Sequence, residues 1–456
     1  MLDPDRLDES TYHRAPIAAK RAGVAMAVLA LAALPLLAGG GACAQTSAAP
    51  STEPAAATPM PKPVMLAVSY YGDALGDVSG GVSPGWAYEG RLGLILDVDL
   101  GQTVGWKGAR LHASLHQIHG EEPTPVHVGA LALVSGIEAE PNTRLFNLWI
   151  EQQLGRAATL RVGQFTAAQE FVVSPTAGVF VNSTFGWPNI VAQDLPSGGP
   201  AYPIGALGAR FSYVGPHATV LAAIFNGDPA GPGGGDPQHR DRYGLNSFHL
   251  SGGPFLIGEA QVPAPHTPAK LRVGAWWLDR PVPAQPLGPA SVPAGPQPLT
   301  RHSASHEGDW GAYAIVDSVI AKRGDASLAG FARVGGAPGD RNLIDAYADG
   351  GLALTGFLPH RPNDQLGLAV AWSRIGRAAR DADAAAIALG QLSVRRDYEA
   401  VVEATYQAQL GAHWQLQPDL QWIAHPGGHV PLPTVGRAQQ PIPDALVVGV
   451  RNVVRF

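Results

Sequence analysis

Along several stretches of this sequence, residues able to exchange hydrogen bonds recur at every second position. Arg110, His112, Ser114 and His116 form one such row, and Asn147, Trp149, Glu151 and Gln153 another. Arg161 and Arg210 stand singly. Asp397, Glu399, Glu403, Thr405, Gln407 and Gln409 continue the pattern, followed by Gln415, Gln417, Asp419 and Gln421. The set mixes guanidinium, carboxylate, amide and imidazole, and it lacks the single sign of charge that lines a strongly ion-selective channel. Its chemistry is reversible exchange of hydrogen bonds with a neutral, hydroxyl-rich solute, with Trp149 or Trp276 offered to an apolar ring face. The same polarity is what any water-filled lumen demands, so the pattern alone leaves solute preference open.

A spacing of two places these residues on one face of β-strands. In 91–100, Leu92, Leu94, Leu96, Val98 and Leu100 share one face, while Arg91, Gly93, Asp97 and Asp99 share the other. Sixteen strands are expected, near 65–72, 89–100, 109–119, 144–154, 158–165, 206–214, 218–226, 247–261, 270–279, 310–321, 326–335, 345–356, 364–376, 396–410, 412–423 and 445–456. Most are long enough to cross a bilayer at a tilt, which takes about 9–11 residues. In the fourth strand Phe146, Leu148 and Ile150 are expected outward.

Short connections (Gly155 to Ala157, Gly215 to His217, Lys322 to Asp325, Gly411) alternate with long ones at 120–143, 166–205, 227–246, 280–309, 377–395 and 424–444. Short periplasmic turns and long extracellular loops are the habit of outer-membrane barrels, and an even strand count returns both ends of the barrel to the periplasm. The fold class is therefore all-β, a transmembrane antiparallel β-barrel of about sixteen strands, wide enough for an aqueous channel. The longest loop, 166–205, carries Phe171, Phe180, Phe185, Trp187, Glu170 and Asp194. So apolar a segment is expected to fold into the barrel as a constriction rather than extend into water.

Composition agrees. Of 456 residues only 15% are charged, against about 25% in soluble proteins. After residue 45 no apolar run reaches the 18 residues of a membrane helix. Lys20 and Arg21 precede an apolar stretch from Ala22 to Ala38, and Ala42-Cys43-Ala44 matches a signal cleavage site. The expected organisation is a signal peptide at 1–44, a disordered Ala/Pro-rich periplasmic leader at 45–63 and the barrel at 64–456. The signal holds four basic and four acidic residues, so the net charge of −6 is unchanged by its loss. Cys43, the single cysteine, leaves with it. Nothing in the charge pattern points to nucleic acid.

Three other signals are weaker. Gly81-Val82-Ser83-Pro84-Gly85 matches a nucleophile elbow but lacks the strand-turn-helix setting. His112 and His116 are four strand residues apart, about 13 Å, too far to share an ion. Asp228, Asp236 and Asp241 share one Gly-rich connection, where a solvated loop is a better account than calcium. No catalytic residue, metal or cofactor is expected.

The chain also resembles the carbohydrate-selective porin family, from about Ser69 to Phe456. The matching stretches include Gly105-Trp106-Lys107-Gly108, Gln117-Ile118-His119-Gly120, Ile137-Glu138-Ala139, Val162-Gly163-Gln164 and Asn182-Ser183-Thr184-Phe185-Gly186-Trp187-Pro188. Others are Pro196 to Pro203, Phe225-Asn226-Gly227-Asp228-Pro229, Phe331-Ala332-Arg333-Val334-Gly335, Gln417-Pro418-Asp419-Leu420-Gln421 and His425-Pro426-Gly427-Gly428. The resemblance implies a sixteen-strand barrel passing sugars such as glucose by passive diffusion, with no enzyme activity. A general or otherwise selective porin on the same barrel is the alternative. The Thr-Gly-Asp-Trp-Gly-Gly segment usual near the family's N-terminus is missing here. The final strand ends on Phe456, which resembles the signal read by the bacterial barrel-assembly machinery. Expected partners are thus sugars, outer-membrane lipid and that machinery.

Overall fold

The computed structural model describes residues 60, 62–265, 267–283, 305–432 and 440–456. The expected signal segment and nearly all of the leader lie outside the described residues. Sixteen antiparallel strands form one closed barrel. They are β1 (Val64–Ser79), β2 (Gly85–Asp99), β3 (Ala109–Gly120), β4 (Asn142–Leu154), β5 (Ala158–Phe165) and β6 (Ala206–Val214). Next come β7 (Thr219–Asn226), β8 (Pro254–Pro263), β9 (Lys270–Pro283), β10 (Ser305–Arg323) and β11 (Ala326–Gly336). The set ends with β12 (Ile344–Thr355), β13 (Gln365–Ile375), β14 (Tyr398–Gln409), β15 (Trp414–Ala424) and β16 (Ala445–Arg455). Each pairs with its neighbours in sequence, and β1 pairs with β16 from Ser69↔Arg455 to Ser79↔Leu446. Closure leaves no row of unpaired backbone groups, which a hydrocarbon environment would penalise at every residue. No helix of the described residues is long and apolar enough to cross a membrane.

The alternation read from sequence survives in detail. On β13, Leu366, Leu368, Val370 and Trp372 point outward and exposed, while Gly367, Ala369, Ala371 and Ser373 point in. Two local expectations change. The strand expected at 247–261 begins at Pro254, because Gly252 and Gly253 are both left-handed (φ +76° and +73°) and break extended pairing. Phe146, expected on the lipid side, points inward. A bulge pairs Ser114 with Asn147 and Leu115 with Leu145, leaving Phe146 as the extra residue, and such an insertion re-aims the side chains before it.

The two ends of the barrel differ. One carries short turns such as 155–157 and 324–325 and the five-residue helix Leu100–Val104. The other carries the segments 121–141, 166–205, 227–253, 376–397, 425–432 and 440–444, though the β1–β2 and β11–β12 connections at that end are short.

Candidate functional site: an off-centre passage

The segment 166–205 turns back into the barrel and fills one side of it. Phe171, Phe180 and Phe185 are buried, as is most of Trp187. They join inward aromatics of the wall: Phe180 and Phe185 pack at 4.8 Å between ring centroids, and Phe185 meets Phe331 edge-on at 6.5 Å. Farther round, Phe165, Phe225, Phe255 and Trp276 form a chain with centroid spacings of 4.8, 6.2 and 6.2 Å. Small inward residues make room for the loop. A Cβ on Gly367 would come within 2.9 Å of both Phe180 and Val179. Trp276, expected to offer a face to solute, is spent on this apolar packing.

Polar wall residues hold the loops in place. Glu403 of β14 accepts from the backbone N–H groups of Val181 (2.6 Å) and Asn182 (3.0 Å). Glu399 accepts from Leu131, Ala132 and Gly427 at 2.7–2.8 Å, tying together two loops. Gln417 donates to Val179 O at 2.8 Å. Arg333 donates to the carbonyls of Val172, Thr184 and Phe185 and to Asp349. Asp194 ends the short helix Asn189–Asp194 and accepts from Ile344 N at 3.0 Å. Burial pushes its carboxyl well above the ordinary range. Glu399 and Glu403 therefore face the interior, as expected, but their oxygens are committed to backbone.

The residues expected to meet solute on β3 to β6 do come together, under the loop. Glu151 is 2.9 Å from Arg161 and 2.7 Å from Arg210. Glu170 of the inserted loop pairs with both arginines, 2.6 Å from Arg210 Nε. Two guanidiniums thus face two carboxylates and cancel. Trp149 is engaged by His112, stacked at 4.7 Å, and by the Arg161 guanidinium at 3.8 Å. His112 also contacts Asp97 at 2.9 Å. Arg110 lies in register with Glu151, and Asn147 is buried opposite Ser114. Arg161 and Arg210 are 9% and 1% exposed, so this cluster is a sealed ion network rather than an open lining. Asp228 and Asp241 are likewise occupied, by Ser197 and Arg240 and by Asn246 N, while Asp236 caps a short helix.

The open space lies mainly along β13 through β16 to β2, reaching Phe146 of β4. A cavity of about 340 Å³ runs between the two inserted loops and the wall, past Tyr71, Arg91, Phe146, Tyr202, Glu138 and Arg451. A second, of about 550 Å³, opens toward the short-turn end. Tyr71, Gly178 and Arg451 line both, so the two cavities adjoin. Arg91 lies 4.6 Å over the Tyr71 ring and 5.1 Å over Tyr202. Arg455 donates to the Tyr71 hydroxyl at 3.0 Å. Arg451 is neutralised by Asp73 at 2.7 Å, whereas Arg91 and Arg455 form no ion pair among the described residues. The wider segment is edged by Asn363, Gln365, Gln407, Gln409, Gln415 and Gln417 and by no carboxylate. Of the expected lining, Gln407, Gln409, Gln415 and Gln417 border it. Arg91, Arg451 and Arg455 were legible as wet-face residues of their strands; loop residues touch two of them, Tyr202 under Arg91 and Ser135 beside Arg451, and all three still border open space.

Residues 83–456 match the family model described as "Carbohydrate-selective porin, OprB family". Porin B of Pseudomonas aeruginosa is 24% identical over 400 residues, covering 79% of this chain and 83% of that protein. Among solved structures, the high-pH structure of Pseudomonas putida OprB superposes with a TM-score of 0.72 at 20% identity, over 86% of this chain and 94% of that one. The low-pH structure of the same protein gives 0.50 at 15% identity, over 86% and 92%.

Proposed function

Since the chain belongs to the carbohydrate-selective porin family, a family of bacterial outer-membrane channels, we propose that it passes neutral, glucose-like monosaccharides by passive diffusion along the Arg91–Tyr71–Arg455 track. The observation that carries this reading is the pairing of donors and ring faces in the open part of the lumen. Arg91 and Arg455 donate to sugar hydroxyls, the amides of the wider segment accept and donate, and Tyr71 and Tyr202 offer apolar faces. Each bond replaces one to water, so the net gain is small. Two or three exchanges of about 1–1.5 kcal/mol each give an affinity in the millimolar to tens-of-millimolar range. Weak binding suits a channel, which must release what it admits. On this reading the long-loop end is extracellular, the signal is cleaved near Gln45, the outward face meets lipid, Phe456 is read by the assembly machinery, and no catalytic step occurs.

Sugar block of single-channel current tests the proposal. Glucose is expected to block the native channel, and Arg91→Ala and Arg455→Ala to weaken block several-fold. Trp149→Ala, under the loop, is expected to have a smaller effect. Full block in both arginine variants would refute the assigned track. The two unpaired guanidiniums also favour a second reading, a preference for anions. A large reversal potential under a KCl gradient, with no sugar block, would select it.

A further inference from the structure

At the rim of the long-loop end, Asp397 immediately precedes β14, and His425 and His429 follow β15. The Nδ1 of His425 lies 2.9 Å from Asp397 Oδ1, and the Nδ1 of His429 lies 3.7 Å from Asp397 Oδ2. One donor atom from each of the three falls within 4.8 Å of the others. A tetrahedral ion bound at about 2.1 Å to each donor sets neighbouring donors about 3.4 Å apart; the two measured separations lie on either side of that. We propose that Asp397, His425 and His429 form a site for a divalent transition-metal ion of the zinc class. Two imidazoles and one carboxylate suit zinc, nickel or copper over calcium or magnesium, which take all-oxygen shells.

The backbone supplies the preorganisation. His425 and His429 are both left-handed (φ +52° and +75°), a conformation non-glycine residues adopt seldom and at a cost. Four hydrogen bonds keep them there. His425 N donates to Asp444 (3.0 Å), Gly427 N to Glu399 (2.8 Å), Asp397 N to Gly428 O (3.1 Å) and His429 N to His425 O (3.1 Å). The two rings stack at 4.1 Å and 11°, so binding requires them to splay until both Nδ1 lone pairs converge. The side chains are 26%, 28% and 42% exposed for His425, His429 and Asp397, which leaves a fourth position to water. A second group, Glu140, Asp236 and His239, is more exposed and has a single imidazole; it serves as the internal control.

The test uses tag-free full-length protein in detergent, dialysed against Zn²⁺ with excess Ca²⁺ and Mg²⁺, with Co²⁺ as a spectroscopic probe. One equivalent of Zn²⁺ is expected at micromolar concentration, with a Co²⁺ visible absorption band. Asp397→Asn and His429→Asn are expected to weaken binding at least ten-fold. Asn tolerates the left-handed conformation, and circular dichroism checks that each variant is folded. Substoichiometric binding, affinity unchanged in both variants, or loss of the signal on His239→Asn would overturn the proposal. Sugar block plays no part in this readout.

Discussion

A guanidinium shut away from water needs all of its donors met, and Arg333 meets them through one carboxylate and three loop carbonyls. Arg333→Met would strand Asp349 as a buried charge and take the Arg333 donor from the carbonyls of Val172 and Phe185, while Thr184 O keeps the Tyr347 hydroxyl, for a loss of about 3–5 kcal/mol. A lower unfolding midpoint in denaturant checks it. Arg333→Lys should recover little, since an ammonium lacks the planar fork. Glu138, in the loop between β3 and β4, titrates in the other direction. Burial pushes its carboxyl up to about 8, against hydrogen bonds from Thr124. A raised folded value means that its contribution to loop seating is full below the unfolded value, about 4.3, and is lost as pH rises through 8. Proteolytic nicking of segment 121–141 is thus expected to be faster at pH 9 than at pH 5, and Glu138→Gln should flatten the difference. At this scale the sequence told which face a side chain takes but not what lies over it. Glu399, Glu403, Arg161 and Arg210 were rightly placed inward. That they serve loops depended on contacts more than a hundred residues distant for Glu399 and Glu403, and on a loop carboxylate, Glu170, for the arginines. Phe146 was misplaced because a one-residue bulge carries no mark in the alternation.

The strands were the most legible elements, since period two repeated sixteen times is hard to satisfy otherwise. Loop insertion was readable too: a connection with Phe171, Phe180, Phe185 and Trp187 has too much apolar surface to stay in water. Its seating was not, because backbone N–H groups docking on Glu403 leave no side-chain signature. Glu403→Ala removes two hydrogen bonds, worth about 1 kcal/mol each, and frees the backbone at Val181 and Asn182. Larger and noisier open-channel conductance is the expected outcome in planar bilayers. An unchanged current trace would mean that apolar packing alone seats the loop.

For the whole barrel, closure at the β1–β16 seam governs both stability and assembly. Phe456 adds only two backbone bonds to that seam, with Val68 at 2.8 and 3.1 Å, about 1 kcal/mol apiece. Deleting it should leave refolding of purified protein into detergent nearly unchanged. If Phe456 is what the assembly machinery reads, the folded yield in cells should fall much further; equal yields in both settings would leave Phe456 a seam residue only. The aromatic filling of the β5 to β12 side carries a different consequence. On the proposed track the permeating solute meets a crescent of wall from β13 through β16 to β2, with Phe146, Tyr202 and the loop tips, while the other arc answers mainly to the demands of packing. Heritable change can then divide by arc. Substitutions in the crescent, away from the loop anchors Glu399, Glu403 and Gln417, retune what is admitted and leave the scaffold intact, and those in the filled arc are judged on whether the protein still folds.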